Sequence, residues 1–210
     1  MTAHPEEGLS LSKARLEGPR RWALSLPGES GTAAFVAPFD PMAETLDPAL
    51  PNEVQDRADK VLELACDKEL MLATAESCTG GLLAALLTDV PGCSHAFERG
   101  FVVYTNEAKA QMLDIELERI EALGAVSKEI AIEMAHGALR RSEAHVTLSI
   151  TGFAGPGKAG EEEGMVHFAC ARRDGPTAHR CEHFGAIGRQ GVRIASLETA
   201  LEMLEQALKI

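Results

Sequence analysis

The fold of this chain is decided by residues 70–87, which read LMLATAESCTGGLLAALL. An apolar run, the small residues 77–81 and a second apolar run predict a strand, a tight turn and the start of a helix. The two glycines let the backbone approach a ligand closely, and free N–H groups at a helix start favour a phosphate or a developing oxyanion. Ser77 and Cys78 are adjacent candidate nucleophiles at this turn. The simpler alternative is an ordinary capped helix start, because Ser and Thr are common N-caps.

Strands and helices alternate along the chain up to about residue 151, and a hairpin and a long helix follow. Strands are predicted at 70–75, 98–104, 145–151, 165–171 and 178–184. Helices are predicted at 52–68 with Asn52 as N-cap, 79–89, 106–113 capped by Thr105, 115–123, 127–141 capped by Ser127, and 189–210. This order predicts an α/β fold, a layered αβα domain with a mixed, mostly parallel sheet and a C-terminal closing helix.

The first 51 residues differ from the rest of the chain. They contain seven of the ten prolines and show no sustained hydrophobic period. We therefore predict two regions, a loosely structured Pro-rich extension at 1–51 and one domain at 52–210. The extension is expected to pack on the domain or on a partner.

Composition excludes several classes of protein. A formal net charge of −12 argues against a general surface for nucleic acid or for an anionic membrane. No apolar run reaches the length of a membrane span, and no secretory signal is present. Five scattered cysteines without a CxxC pair are typical of free thiols in a reducing cytoplasm. We expect a cytoplasmic protein that forms a homo-oligomer.

Polar residues follow three of the predicted strands. They form the clusters Glu76–Ser77–Cys78–Thr79, Tyr104–Thr105–Asn106 with Lys109, and Thr151–Gly152 with the glycine loop that runs to residue 164. Ligands of open α/β sheets bind at the carboxyl ends of strands, so these clusters predict one shared site. Lys109 would lie in the first turn of its helix, where the dipole disfavours a cation. It is therefore either an exposed lysine or one with a lowered pKa.

Four motifs resemble the C-terminal domain of the CinA (competence/damage-inducible) proteins. They are AESCTGGLLAALLTDVPG, FERGFVVYTNEAKAQMLDI, LGAVSKEIAIEMAHGALRRS and SITGFAGPG, and the likeness runs from about residue 53 to 208. Stand-alone members of that family are nicotinamide-nucleotide amidases. The resemblance therefore implies hydrolysis of nicotinamide mononucleotide to nicotinic acid mononucleotide and ammonia, in pyridine-nucleotide salvage. It also implies a serine nucleophile, a lysine base and an assisting tyrosine, which by motif are Ser77, Lys109 and Tyr104.

Amide hydrolysis needs a nucleophile, a base, a donor to the oxyanion and an acid for the departing ammonia. Ser77 and Lys109 supply the nucleophile, the base and the acid, so neither a metal nor a cofactor is expected. Arginine suits the 5′-phosphate, and the glycine loop is a second candidate cradle. The predicted substrate-binding residues are Thr79, Gly80 and Gly81 (with N–H groups for the oxyanion), Asn106, Thr151, Gly152, Gly155, Gly157, Arg189 and Arg193.

The sequence departs from the family pattern in three places. Residues 1–51 are far too short for the N-terminal domain of the full-length proteins. The glycine loop ends in the acidic run Gly160–Glu161–Glu162–Glu163–Gly164 where the family has a longer segment ending in Lys-Pro-Val-Gly. In the segment before the last helix, the family usually has an Asp ahead of its Arg, whereas here residues 185–188 before Arg189 contain no Asp. Three carboxylates near a phosphate site would repel the substrate, which leaves its affinity open.

Other interpretations of the sequence also stay open. Cys78 is an alternative nucleophile, because a thiol at a helix N-terminus has a lowered pKa. His179, Cys181 and His183 alternate along one strand and are either metal ligands or residues of a half-exposed strand face. The whole chain is alternatively a non-catalytic nucleotide-binding module of the same fold, or an interaction protein that works through residues 1–51.

Overall fold

A computed structural model describes residues 50–90, 92–93, 95–157 and 159–209 of the chain. Within these ranges the helices are α1 (Asn52–Asp67), α2 (Leu82–Thr88), α3 (Asn106–Leu113), α4 (Leu117–Leu123), α5 (Lys128–Arg140) and α6 (Gly188–Lys209). The strands are β1 (Leu72–Glu76), β2 (Phe97–Val102), β3 (Val146–Gly152), β4 (Met165–Arg172) and β5 (Ala178–His183). Every predicted element within the described ranges is present, with ends that differ by up to three residues. The predicted extension lies outside the described residues, apart from Leu50 and Pro51.

The five strands form one mixed sheet in the order β2-β1-β3-β4-β5. β1 pairs in parallel with β2 and β3, whereas β4 is antiparallel to both β3 and β5. The predicted mixed α/β sheet is confirmed, but half of its pairings are antiparallel, so it is not mostly parallel. The physical reason is that the connections around β4 carry no crossover helix, which a parallel neighbour would need.

Helices cover both faces of the sheet. One apolar cluster joins α1, α2 and α6 to side chains such as Leu148 of β3 and Phe168 of β4. A second cluster joins α3, α4 and α5 to Ala75 of β1 and Phe101 of β2. Because successive strand residues point to opposite faces, these two clusters form the two sides of a layered αβα domain, as predicted. None of the described helices has the length and apolar character needed to cross a membrane.

The ends of the helices follow the predicted signals with one exception. Thr105 accepts a hydrogen bond from the N–H of Ala108, and Ser127 accepts one from Ile130, so both predicted caps are confirmed. α1 already begins at Asn52, and the N-cap position is Pro51. The prediction of Asn52 as N-cap is therefore wrong by one residue.

Helix α6 closes the domain with the predicted apolar stripe. Leu197, Leu201, Leu204 and Leu208 are fully buried, and Ile194 packs against the same cluster. The cluster also includes Leu50, which is 5% exposed. Leu50, two residues before the predicted boundary at 52, therefore packs with the domain.

Candidate active site

The turn that follows β1 carries Ser77 and is built from residues 77–81. The N–H of Ser77 donates to the carbonyl of Ile150 on β3, over 2.9 Å, so the turn is joined to the middle of the sheet. Gly80 and Gly81 have φ angles of +64° and +91°, a conformation that favours glycine. A Cβ on Gly81 would also lie 3.1 Å from the side chain of Val102. Two glycines therefore allow the chain to turn at once from β1 into α2.

Lys109 reaches this turn from the first turn of α3. Its side chain is only 1% exposed, although lysine is normally a surface residue. The Nζ atom lies 3.2 Å from Ser77 Oγ and donates to the carbonyls of Val103, at 3.1 Å, and Tyr104, at 3.2 Å. The two candidates from separate sequence motifs are therefore in direct hydrogen-bond contact.

Burial lowers the pKa of Lys109 below its ordinary value, and the nearby Cys78 opposes this shift to a smaller extent. A lysine with a lowered pKa can be neutral near physiological pH, which a general base requires. Burial also raises the pKa of Cys78 to about 12, and the charge of Glu76 acts in the same direction. A backbone N–H does lower the pKa of Cys78, as expected at a helix start, but burial outweighs this effect. A protonated thiol is a poor nucleophile, which favours Ser77.

The sequence analysis assigned no role to Glu76, and the structure gives it one. Its carboxylate is fully buried and accepts hydrogen bonds from the N–H groups of Gly81, at 3.0 Å, Leu83, at 3.1 Å, and Ala84, at 2.8 Å. The hydroxyl of Thr74 donates to it as well, over 3.2 Å. The sequence did contain a signal for this role, because a carboxylate next to the start of a helix interacts favourably with the helix dipole.

The contacts of Glu76 correct the predicted anion site at the start of α2. The carboxylate of Glu76 already occupies the N–H groups that were expected to bind a phosphate or an oxyanion, including that of Gly81. The N–H of Gly80 donates to the carbonyl of Ser77 at 3.1 Å. Within the described ranges, the N–H groups of Cys78 and Thr79 have no backbone acceptor. Of the three predicted oxyanion donors, only Thr79 therefore has an uncommitted N–H.

Tyr104 contributes its backbone to the site, and its ring points to solvent. The carbonyl accepts from Lys109, whereas the side chain is 67% exposed. Its hydroxyl forms no hydrogen bond with Ser77 or with Lys109 in this conformation. Asn106, the first residue of α3, is partly buried, and its side chain forms no hydrogen bond with another described residue.

Two arginines of α6 connect the turn with the glycine loop. Arg193 donates from Nη2 to the carbonyl of Thr79. One helical turn earlier, the guanidinium of Arg189 lies 3.1 Å from the point where a Cβ on Gly155 would stand. Glycine at position 155 therefore makes room for the guanidinium of Arg189.

A cleft of about 400 Å³ opens beside these arginines, within the usual range of ligand pockets of about 300–1,000 Å³. It is lined by Leu50, Leu82, Arg189, Gln190, Arg193 and Ile194. Two buried polar atoms next to it, Thr79 Oγ1 and Arg193 Nε, have no hydrogen-bond partner among the described residues. Buried polar atoms are normally paired, so these two are available to a bound group.

The remaining residues of the predicted glycine cradle have packing roles. Thr151 is fully buried, and its hydroxyl donates to the carbonyl of Ala125 at 2.7 Å. A Cβ on Gly152 would come within 2.7 Å of the carbonyl oxygen of Met165, so Gly152 allows β3 to approach β4. A Cβ on Gly157 would collide with the side chain of Glu161. These contacts give Thr151, Gly152 and Gly157 packing roles, and their predicted substrate contacts stay predictions.

The alternating His and Cys residues of β5 do form a cluster with a residue of β4. Cys181 Sγ lies 3.8 Å from His167 Nε2 and 3.7 Å from His183 Nε2, and His167 Nδ1 lies 3.1 Å from His179 Nε2. In the part of the chain that the structure describes, no three His, Cys, Asp or Glu side chains are arranged to hold a metal ion. The cluster lies on a partly exposed face, which is the simpler of the two predicted interpretations.

Known proteins share this fold and these motifs. The family model of the CinA C-terminal domain matches residues 54–208 of this chain. Nicotinamide-nucleotide amidohydrolase PncC of Escherichia coli (strain K12) is 41% identical over 157 residues, which cover 74% of this chain and 94% of that protein. A CinA-like protein of Chlorobium phaeobacteroides (strain BS1) is 48% identical over 143 residues, which cover 66% of this chain and 34% of that protein. This chain therefore matches only about a third of the length of that relative.

Two solved structures support the same assignment. The competence/damage inducible protein CihA from Agrobacterium tumefaciens matches with a TM-score of 0.73 and 44% sequence identity, over 77% of this chain and 98% of that one. A CinA superfamily protein from Klebsiella pneumoniae matches with a TM-score of 0.70 and 30% identity, over 74% of this chain and 98% of that one. The sequence match and the shared fold agree, and the chain belongs to the CinA C-terminal domain family.

Proposed function

We propose that this protein is a nicotinamide-nucleotide amidase, which hydrolyses the carboxamide of nicotinamide mononucleotide to nicotinic acid mononucleotide and ammonia. The observation that carries this proposal is the contact between the buried Lys109 Nζ and Ser77 Oγ, at 3.2 Å. A hydroxyl next to a desolvated lysine is an activated nucleophile. The relatives named nicotinamide-nucleotide amidohydrolase support the choice of substrate.

In the proposed first step, Ser77 Oγ attacks the carboxamide carbon and transfers its proton to neutral Lys109. The carbonyl oxygen becomes an oxyanion, and the proposed donors to it are the N–H groups of Cys78 and Thr79, which have no backbone acceptor among the described residues. Lys109, now an ammonium, gives the proton to the leaving nitrogen, and ammonia departs. An ester between Ser77 and the nicotinoyl group remains.

In the second step, water hydrolyses this ester with Lys109 again as the base, and Ser77 regains its proton. The carbonyls of Val103 and Tyr104 hold the amine of Lys109 in place through both steps. Tyr104 remains a proposed proton relay. Its exposed ring must turn inward for its hydroxyl to reach Ser77 or Lys109.

The 5′-phosphate is proposed to bind in the cleft beside α6. Arg189 and Arg193 both line it, and guanidinium groups bind phosphate through two parallel hydrogen bonds. The unpartnered Arg193 Nε supports this role, because it is a buried donor without an acceptor among the described residues. Gly155 belongs to the same region, since it lies against Arg189.

The proposal is tested by measuring ammonia release from nicotinamide mononucleotide by the purified protein, with Ser77→Ala as control. Release by the wild type and none by the variant is the expected result. Absence of release by the folded wild type would overturn the proposal.

The second candidate, a nucleotide-binding module without turnover, is favoured by the acidic run at 161–163. It predicts that calorimetry detects binding of the nucleotide while no ammonia forms. Binding together with ammonia release contradicts this candidate.

A further inference from the structure

Glu76 stands out among the buried groups that the proposed mechanism does not use. It directly precedes Ser77, and it is 0% exposed. A buried carboxylate costs free energy unless it is well hydrogen-bonded. Here four donors surround it, three backbone N–H groups and the hydroxyl of Thr74.

The three backbone donors lie on the far side of the turn from Glu76. Gly81 is the last residue of the turn, and Leu83 and Ala84 belong to the first helical turn of α2. Hydrogen bonds to a charged acceptor are about twice as strong as neutral ones. Glu76 therefore connects the end of β1 to the start of α2 and closes the turn 77–81 into a ring.

Closing this ring has two consequences for the atoms inside it. Ser77 and Cys78 follow the strand directly, so the direction of Ser77 Oγ toward Lys109 depends on how the turn is fixed. The negative charge also satisfies the N–H groups at the start of α2, so the uncommitted N–H groups of the turn are those of Cys78 and Thr79. The N–H groups left to bind an oxyanion therefore belong to the turn and not to the first turn of α2.

We propose that Glu76 is a positioning residue of the active site, whose carboxylate holds the turn 77–81 in the geometry that the transition state needs. This inference rests on the proposed amidase function. Glu76 touches neither the substrate nor the reacting atoms, and it acts through the backbone of the turn. Its removal should lower kcat and leave KM nearly unchanged, because the ground-state contacts of the phosphate lie on α6.

The test uses the full chain with the variants Glu76→Gln and Glu76→Asp, and Thr74→Val as the matched control. Glu76→Gln keeps the shape but replaces one acceptor oxygen by a donor that faces backbone N–H groups. Thr74→Val removes a hydrogen bond of the same carboxylate and leaves the contacts with the turn and with α2 intact. Circular dichroism and thermal unfolding are recorded for each protein.

Glu76→Gln is expected to lower kcat for ammonia release about 10²-fold, the scale of losing one oxyanion donor, with KM within about threefold. Thr74→Val should keep kcat within about threefold even where its melting temperature falls. A folded Glu76→Gln variant with kcat near that of the wild type would overturn the proposal, and so would an equal loss of kcat in Thr74→Val. If Glu76→Gln does not fold, Glu76→Asp, which keeps the charge but retracts it from the helix start, is judged by the same criteria.

A second measurement separates this proposal from the proposed function. A serine-directed fluorophosphonate reacts with Ser77 Oγ, which forms a bond to phosphorus as fluoride leaves, and it needs no nicotinamide substrate. Rapid labelling of the wild type that slows at least about tenfold in Glu76→Gln supports the positioning role even if no ammonia is released from the nucleotide. Equal labelling rates in the two folded proteins contradict it.

Discussion

The turn 77–81 and the glycine loop 152–164 both follow strands of the sheet, and both lie next to an arginine of α6. Residues Ser77, Cys78 and Thr79 of the turn are buried, and the turn is held at both ends, by the carbonyl of Ile150 on β3 and by the carboxylate of Glu76 at the end of β1. In the glycine loop, Pro156, Gly157 and Gly160 are exposed, and the pair of Glu162 and His183 lies at the surface.

This difference separates the chemistry of the site from the recognition of its substrate. Atoms that must be held within a fraction of an ångström lie in the buried turn, where every neighbour limits their movement. The acidic residues that depart from the family pattern all lie in the exposed loop. If the proposed function holds, variants of the turn and variants near the glycine loop should therefore have different kinetic effects.

The largest effect is expected on the catalytic side, from Ser77→Ala. Loss of the nucleophile should reduce kcat by at least about 10³-fold while the fold is kept, because the alanine fits the same turn. Cys78→Ala, which changes the neighbouring residue, should leave a measurable rate because the pKa of that thiol is raised to about 12. Ammonia release measures both variants. An inactive Cys78→Ala protein beside an active Ser77→Ala protein would reverse the assignment of the nucleophile.

The next effect concerns the charge of Lys109. Lys109→Arg should lower kcat/KM nearly as much as Lys109→Ala, about 10²–10⁴-fold, because arginine keeps its proton at all accessible pH values. In the wild type, kcat/KM should fall as the pH drops through the pKa of Lys109, which burial places below that of free lysine. Lys60→Ala, on the exposed surface of α1, is the control. An active Lys109→Arg enzyme would mean that Lys109 acts as a cation and that the base lies elsewhere.

A smaller and different effect is expected on the recognition side. Arg189→Ala should raise KM about 10-fold or more and leave kcat within about twofold, since a hydrogen-bonded charge pair with the phosphate is lost. Arg193→Ala should lower kcat as well, because Arg193 also supports the carbonyl of Thr79. Steady-state kinetics compare both with Arg119→Ala, a surface arginine paired with Glu133. If Arg189→Ala lowers kcat and leaves KM unchanged, the phosphate does not bind at Arg189.

The smallest effect should come from the acidic run of the exposed loop. Replacing residues 161–163 by glutamine should lower KM about twofold at low ionic strength, because it removes repulsion of the phosphate. The difference should vanish near 1 M salt, where the Debye length falls to about 3 Å. Measurements of KM for both proteins across a series of salt concentrations test this expectation. A KM that rises in the variant would show that these carboxylates help to hold the substrate.

Much of the fold could be predicted from local patterns. The apolar stripe of α6 and the caps Thr105 and Ser127 depend on residues a few positions apart, and such signals are read directly from the chain. The β4–β5 hairpin was predicted, but the antiparallel pairing of β4 with β3 was harder to predict, because the direction of a strand depends on how its connections cross the sheet.

The proposed catalytic pair could be identified from the sequence because the motifs around Ser77 and Lys109 are long and specific. The role of Glu76 could not, since it depends on the direction of three backbone N–H groups after the chain has turned. The packing role of Thr151 could not be predicted for the same reason. Its place at a strand end suggested a ligand, but its side chain points to the face that packs against the region before α5.

The contact between Arg193 and Thr79 joins residues that are 114 positions apart. During synthesis, the turn with Ser77 leaves the ribosome long before α6 exists. At that stage the large core cluster lacks its α6 side chains, and the turn lacks one of its supports. A contact of such long sequence separation also requires the entropy of a long loop to be lost before it can form. We therefore expect the turn that carries the proposed nucleophile to be complete only when α6 has docked.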